Sequence, residues 1–161
     1  MKEVHVHLLI NHMPIFGVLF GAIVLALGIW SKSTTTKLSS YVLFFVSALS
    51  GLIAYVTGEG AEEAVENIPG IAREMLDQHE EIALYTLVVM IILGAVSILG
   101  TFMTVRKPET TNAFAWIILF LSFIVFSIAA KTGYVGGQIR HTEVNGYVIP
   151  EPMNQEPREY Y

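Results

Sequence analysis

Four long runs of apolar residues, separated by short polar segments, dominate the sequence. They predict helices over about residues 8–30, 41–58, 71–105 and 113–132. Each run contains an uncharged stretch of roughly 17–25 residues, the length that an α-helix needs to cross the hydrocarbon core of a bilayer. None shows the strict alternation of apolar and polar positions that marks the strands of a membrane β-barrel. We therefore predict an all-α integral membrane protein built as a bundle of four transmembrane helices.

The polar segments divide this bundle into loops, ends and a tail. Residues 1–145 are predicted to form the transmembrane domain, with a short arm before residue 8 and an acidic loop over residues 58–78. A short acidic helix is expected at 62–67 within that loop, and the third long helix is expected to begin before its apolar part. Gly133, Gly136 and Gly137 are expected to end the fourth helix. Residues 146–161 contain prolines and predict an extended tail.

Charge gives the expected orientation. The chain has 14 acidic and nine basic residues and a net charge of −5, which argues against a nucleic-acid partner. Lys32, Lys37, Arg106 and Lys107 fall in the two short loops, which the positive-inside rule assigns to the cytoplasm. Both termini then face outward, toward the periplasm if the protein lies in a bacterial inner membrane. The first apolar run is too long for a signal peptide and lacks its cleavage site, so we expect a retained helix.

All five histidines lie on the predicted outer side. His5, His7 and His12 stand at the entry of the first helix, His79 at the entry of the third, and His141 just past the end of the fourth. Neutral imidazole is the commonest metal ligand, and polar groups at membrane depth are costly and usually functional. The absence of cysteine excludes disulfides, iron–sulfur clusters held by cysteine and covalent c-type haem. The pattern therefore predicts a metal or haem site at one membrane surface.

Haem b with two axial histidines fits a site assembled from several helices. We expect His12 and His79 as the best pair and His7 with His141 as a second pair, which gives one or two haems. His5 is expected to be a solvated residue of the arm. His7 and His12 are about 140° apart on an ideal helix, so they serve two sites unless one leaves the helix. Five aromatic side chains are candidate walls of the haem pocket or ordinary membrane aromatics: Phe16, Phe20, Tyr55, Tyr85 and Tyr134.

Two further patterns leave alternatives open. The same four histidines could hold copper or zinc, with help from Glu80, Glu81 or Glu143. Small residues repeat along the second helix at Ser47, Gly51, Ala54 and Gly58. Such a stripe lets helices pack closely in lipid, and it also leaves room for a flat macrocycle.

Several segments together resemble a bacterial membrane family called domain of unknown function 2231. They are HLLINHMPIFG in the first helix, HEE at the start of the third, and Gly136-Gly137 followed by His141. The similarity runs from the first helix to about residue 143 and matches the family at His7, His12, Pro14 and His79. Leu8 replaces a common proline, and the spacing before His141 is shorter than usual. Fusion of some relatives to Rieske or cytochrome domains implies a place in respiratory electron transfer.

Three functions follow as hypotheses. The first is a b-type cytochrome subunit that passes electrons from a quinol or periplasmic donor to another redox protein or respiratory complex. The second is a copper- or zinc-binding membrane protein. The third is a cofactor-free accessory subunit that docks through its proline tail or forms a homo-oligomer. A stand-alone enzyme is not expected, because no nucleophile–base constellation is found.

Overall fold

The structure, a computed structural model, describes residues 2–65 and 73–139. It contains five α-helices and one short 3₁₀ turn in this part of the chain: α1 (Lys2–Ile10), α2 (Met13–Trp30), α3 (Thr34–Val65), α4 (Arg73–Arg106), the turn Pro108–Thr110 and α5 (Thr111–Gln138). The predicted tail, residues 146–161, lies outside the described residues.

The long helices form a closed four-helix ring. Each packs against its neighbour in the chain, α2 against α3, α3 against α4 and α4 against α5, and α5 returns to α2. In this ring α2 lies diagonally opposite α4, and α3 lies diagonally opposite α5. Fully buried side chains from all four helices fill the centre: Val18, Leu25, Phe44, Met90, Leu93, Ile118 and Val125. The short helix α1 continues beyond α2 and packs on α3.

The outer surface of the ring is apolar, as the sequence predicts for a membrane protein. Four helical segments are long and apolar enough to span a bilayer: Val4–Trp30, Thr34–Val65, Arg73–Arg106 and Pro108–Gln138. Large apolar side chains such as Phe20, Trp116 and Phe120 are 55%, 60% and 71% exposed along these helices. Contiguous exposed apolar surface of this extent needs lipid to cover it. The prediction of an all-helical, multi-pass membrane protein is therefore confirmed.

The first predicted helix, residues 8–30, is divided in two. Residues before position 8 belong to α1 rather than to an arm, and the helix breaks at Asn11 and His12 before α2 begins at Met13. Pro14 causes the break, because it has no N–H to donate to the carbonyl of Ile10 and its ring crowds that carbonyl. Had the helix begun at residue 8, Pro14 would lie near its first turn and cost little. A start at Lys2 places it inside the helical run instead.

Two helices continue past their predicted ends. α3 begins at Thr34 rather than residue 41 and runs to Val65, so the first part of the expected loop 58–78 is helical. α5 begins at Thr111 and continues through its glycines to Gln138. Glycine costs about 1 kcal/mol in a helix interior, but packing regularly outweighs propensity. A Cβ on Gly133 would lie 2.7 Å from Cδ1 of Ile15, which shows how closely α5 approaches its neighbour there.

The third helix begins before its apolar part, as expected. α4 starts at Arg73, whereas its uncharged stretch starts at residue 82. With 34 residues, α4 is about 51 Å long, well beyond the roughly 30 Å of a hydrocarbon core. The ends of α3 and α4 therefore project past the apolar belt at one end of the bundle. We call this the histidine end, defined by His7 and His79, and the opposite end the short-turn end, defined by residues 31–33 and 107–110.

The short-turn end has a well-defined backbone. Ser33 N–H donates to the carbonyl of Gly28 at 3.0 Å and Lys32 N–H to that of Ile29 at 3.2 Å, which together make a Schellman turn. Lys32 takes the left-handed conformation with φ 54°. The hydroxyl of Ser33 then accepts the N–H of Thr36 at 3.2 Å and caps α3. This tight turn fixes the antiparallel packing of α2 on α3.

A two-histidine candidate site

His7 faces the interior of the bundle from α1. Its ring is half-buried, and Nδ1 lies 2.9 Å from the carbonyl oxygen of Ala54 on α3. The ring also lies beside Gly58, where a Cβ would sit 3.5 Å from Cε1 of His7. An added methyl group at this position would make an ordinary van der Waals contact with the imidazole, so the ring lies close to α3. Packing of α1 on α3 thus holds His7 at a fixed depth.

His79 faces the interior from α4 in a matching environment. Its Nδ1 lies 3.2 Å from the carbonyl oxygen of Thr132 on α5. The ring rests on Gly136, where a Cβ would lie only 2.8 Å from Cε1 of His79. Two turns deeper in α4, the hydroxyls of Thr86 and Thr132 lie 2.6 Å apart and join α4 to α5. His79 is therefore positioned by α5 as firmly as His7 is by α3.

These hydrogen bonds determine which ring nitrogen carries the proton. A carbonyl oxygen only accepts, so Nδ1 of His7 and Nδ1 of His79 must each donate. In the neutral imidazole the lone pair is then on Nε2 of both rings. An Nδ1–H bond to a backbone carbonyl is the arrangement that orients a histidine for metal ligation through Nε2. Both rings thus leave the same atom, Nε2, free of the proton.

The two rings approach from diagonal positions of the bundle. His7 is on α1, which extends α2, and α2 is diagonal to α4, which carries His79. Both rings are half-buried at the histidine end of the bundle. Gly58 and Gly136, which adjoin them, lie on the other diagonal pair, α3 and α5. This end of the bundle therefore places two imidazoles on one diagonal and two side-chain-free positions on the other.

The structure does not turn His12 toward the interior, where His79 lies. His12 is exposed, its Nδ1 donates to the side-chain oxygen of Asn11, and its ring stacks on Phe16. The physical reason is the phase of α2, whose core-facing residues include Pro14 and Val18. His12 precedes Pro14 by two residues, about 200° around the helix, which places it on the outer face. Whether His12 is a ligand stays a prediction, but it is not the interior partner of His79.

The aromatic residues expected to wall an internal pocket lie mostly on the outside. Phe16, Phe20, Tyr85 and Tyr134 are 48%, 55%, 60% and 63% exposed, respectively. Tyr55 is half-buried and lines a surface groove of about 250 Å³ together with Asp77, Glu80, Glu81 and Leu84. In the bundle these rings face lipid or solvent. The contacts of His7 and His79 are instead with Gly58, Gly136 and the backbone carbonyls of Ala54 and Thr132.

Two other predicted ligands, His141 and Glu143, lie outside the described residues, so the expected pairing of His7 with His141 stays a prediction. His5 is exposed on α1. Among residues 2–65 and 73–139, no group of three or more histidine, aspartate or glutamate side chains is gathered as a metal site. The described donor set thus consists of two imidazoles.

Sequence reasoning missed the groups that orient these imidazoles. The carbonyls of Ala54 and Thr132 are backbone atoms, and no side-chain pattern points to them. Gly58 does belong to the small-residue stripe. Its contact with His7 brings α1 against α3, which agrees with the interpretation of the stripe as a helix-packing surface. Gly51, in the same stripe, adjoins Met90 and serves helix packing. Gly136 is predicted to break the helix, but it lies inside α5, two residues before its end, and contacts His79.

Comparisons of the chain with protein-family models, with curated proteins and with solved structures find no match. The resemblance to the domain of unknown function 2231 therefore stays a prediction.

Proposed function

We propose that the protein is a membrane b-type cytochrome-like subunit that binds haem between His7 and His79 at the histidine end. The observation that carries this proposal is the shared orientation of the two rings, each of which donates Nδ1–H to a carbonyl and leaves Nε2 for ligation. Haem held by two histidines needs one imidazole from each of two facing helices. α1 and α4 supply them.

The two glycines seat the imidazoles that would hold the haem. A Cβ at Gly136 would lie 2.8 Å from Cε1 of His79, so glycine makes room for that ring, and Gly58 lies beside the ring of His7. When bound, haem supplies a one-electron couple, and the chain fixes its axial ligands and shields it in an apolar bundle. Ala54 and Thr132 accept the Nδ1 protons and thereby hold the imidazole planes.

The donor count favours haem over zinc or copper. Zinc in proteins has four ligands in structural sites and three protein ligands in catalytic sites. Two imidazoles gather in the described residues, which suffices for the axial ligation of haem. A copper or zinc site would require further donors from residues 66–72 or 140–161, where His141 and Glu143 lie. We therefore rank the metal-ion alternative second.

The proposed setting is a bacterial inner membrane with the histidine end toward the periplasm. The short-turn end carries Lys32, Lys37, Arg106 and Lys107, and the positive-inside rule assigns such loops to the cytoplasm. Acidic residues concentrate at the opposite end, on α3 and α4. The function that fits is transfer of electrons to or from another redox protein or a subunit of a respiratory complex at that face.

Absorption spectroscopy of histidine variants tests this proposal. We expect protein from haem-replete cells to show a Soret band and the visible bands of a low-spin b-type haem after reduction. His7→Ala and His79→Ala should each lose the low-spin spectrum, because each removes one axial ligand. His12→Ala is the matched control five residues beyond His7 and should retain it, since its ring faces outward.

Two results would contradict the proposal. One is a wild-type protein that folds but has no Soret band, even after reconstitution with hemin. The other is a spectrum that survives His79→Ala and disappears in His12→Ala. Size-exclusion chromatography and circular dichroism of each variant separate ligand loss from misfolding. Elemental analysis of the same samples detects copper or zinc if the second-ranked alternative holds.

A further inference from the structure

The outward turn of His12 places it above an apolar groove that faces lipid. The groove runs between α2 and α3 and has a volume of about 250 Å³. Its lining is almost entirely apolar, apart from two serines: Met13, Phe16, Gly17, Phe20, Leu43, Val46, Ser47 and Ser50. Gly17 lets α2 and α3 meet at the base of the groove, since a Cβ at this position would collide with the hydroxyl of Ser47. The haem proposal does not use this groove.

Three rings form a ladder along one side of the groove. His12 stacks on Phe16 with ring centroids 6.5 Å apart and planes inclined by 20°. Phe16 stacks in turn on Phe20 at 6.1 Å and 22°. Parallel, offset rings of this kind present flat faces and edges to a third planar ring. The ladder therefore favours an aromatic occupant over a plain acyl chain, which gains nothing from ring geometry.

His12 adds a directional polar group at the end of the ladder. Because its Nδ1 donates to Asn11, the lone pair of the neutral ring is on Nε2, which can accept a hydrogen bond. Phosphate and ester oxygens of lipids cannot donate to it, whereas a phenolic hydroxyl can. An occupant with a planar ring, a hydroxyl donor and an apolar tail therefore complements both the ring ladder and His12.

We propose that this groove binds the hydroquinone ring of a prenylated membrane quinone, with one ring hydroxyl donating to Nε2 of His12. A cavity of about 150 Å³ accommodates benzene, so a groove of about 250 Å³ has room for a substituted ring. The tail follows the lipid-facing seam between α2 and α3. The site is distinct from His7 and His79 and stands whether or not those residues hold haem.

Equilibrium binding of decylubiquinol, kept reduced under anaerobic conditions, tests the inference in phosphatidylcholine nanodiscs. We expect saturable binding to the wild-type protein. Val46→Trp fills the groove and should abolish it. Val42→Trp is the matched control, because Val42 is 58% exposed one turn earlier on α3 and does not line the groove. It should bind like the wild type.

A second variant tests the hydrogen bond. His12→Phe keeps a ring in the ladder but removes the Nε2 acceptor. It should weaken decylubiquinol binding by about 3- to 10-fold, the effect of one hydrogen bond, and leave decylubiquinone binding unchanged. His79→Ala should bind decylubiquinol like the wild type, which separates this site from the proposed haem site.

Three outcomes would overturn the inference. The first is no saturable binding of decylubiquinol to folded wild-type protein. The second is equal binding to the Val46→Trp and Val42→Trp variants. The third is displacement of the quinol by an equal concentration of 1-decanol, which would identify a groove for hydrocarbon chains only.

Discussion

Replacing Gly136 by alanine is expected to disturb His79 and destabilise the bundle. The added Cβ would lie 2.8 Å from Cε1 and 3.1 Å from Nδ1 of His79. Carbon atoms pack best at about 3.5–4.0 Å, so the ring or α5 must move by several tenths of an ångström. Overpacking of this kind costs about 1–3 kcal/mol. The movement also strains the Nδ1–H bond to Thr132, which is already 3.2 Å long.

Gly137→Ala provides the matched control. It changes the same residue type in the same last turn of α5, but its Cβ would meet nothing within 4 Å. The gain in helix propensity, up to about 1 kcal/mol, is common to both variants and cancels in their difference. The difference in the free energy of unfolding should therefore equal the overpacking cost, about 1–3 kcal/mol.

Thermal unfolding in detergent, followed by far-UV circular dichroism, measures this difference. At about 2–4 °C per kcal/mol for a chain of this size, Gly136→Ala should melt several degrees below Gly137→Ala. A Gly136→Ala variant that melts at or above Gly137→Ala would refute the close contact between α5 and His79. The geometry of the two-histidine site would then need revision.

Two other predictions concern helix association and orientation. Thr86→Val removes the hydroxyl contact to α5 and should destabilise the protein by about 0.6 kcal/mol, with an upper bound near 1.7. The control Thr101→Val loses only a bond within its own helix, and equal melting of the two variants would count against an interhelical bond. Because the chain has no cysteine, Ser33→Cys and Glu63→Cys can be labelled singly. In intact bacterial cells, an impermeant maleimide should reach position 63 and not position 33, and the reverse pattern would invert the topology.

The membrane spans could be predicted from sequence because their signal is local. An uncharged run of sufficient length has few folded alternatives to a transmembrane helix, and all four such runs are helical in the structure. The helix ends are different. Residues 58–65 remain helical where α3 packs beside α1, and residues 133–138 remain helical where α5 packs on Ile15 and His79. Glycines at both places predict a break locally, and tertiary contacts decide otherwise.

The histidines show which part of a site can be derived from helical phase. The angle of about 140° between His7 and His12 indicated that they serve different sites, and in the structure one faces inward and the other outward. The sequence alone does not tell which of the two faces inward, because the helical phase has no reference point. Pro14 and Val18, on the buried face of α2, supply one. Measured from these two residues, His12 must point outward. Because the helix breaks at Asn11, α1 has its own phase, and His7 faces inward against Ala54. To decide from helical phase whether a histidine faces the interior, one must therefore know which residues of the same unbroken helix face the core.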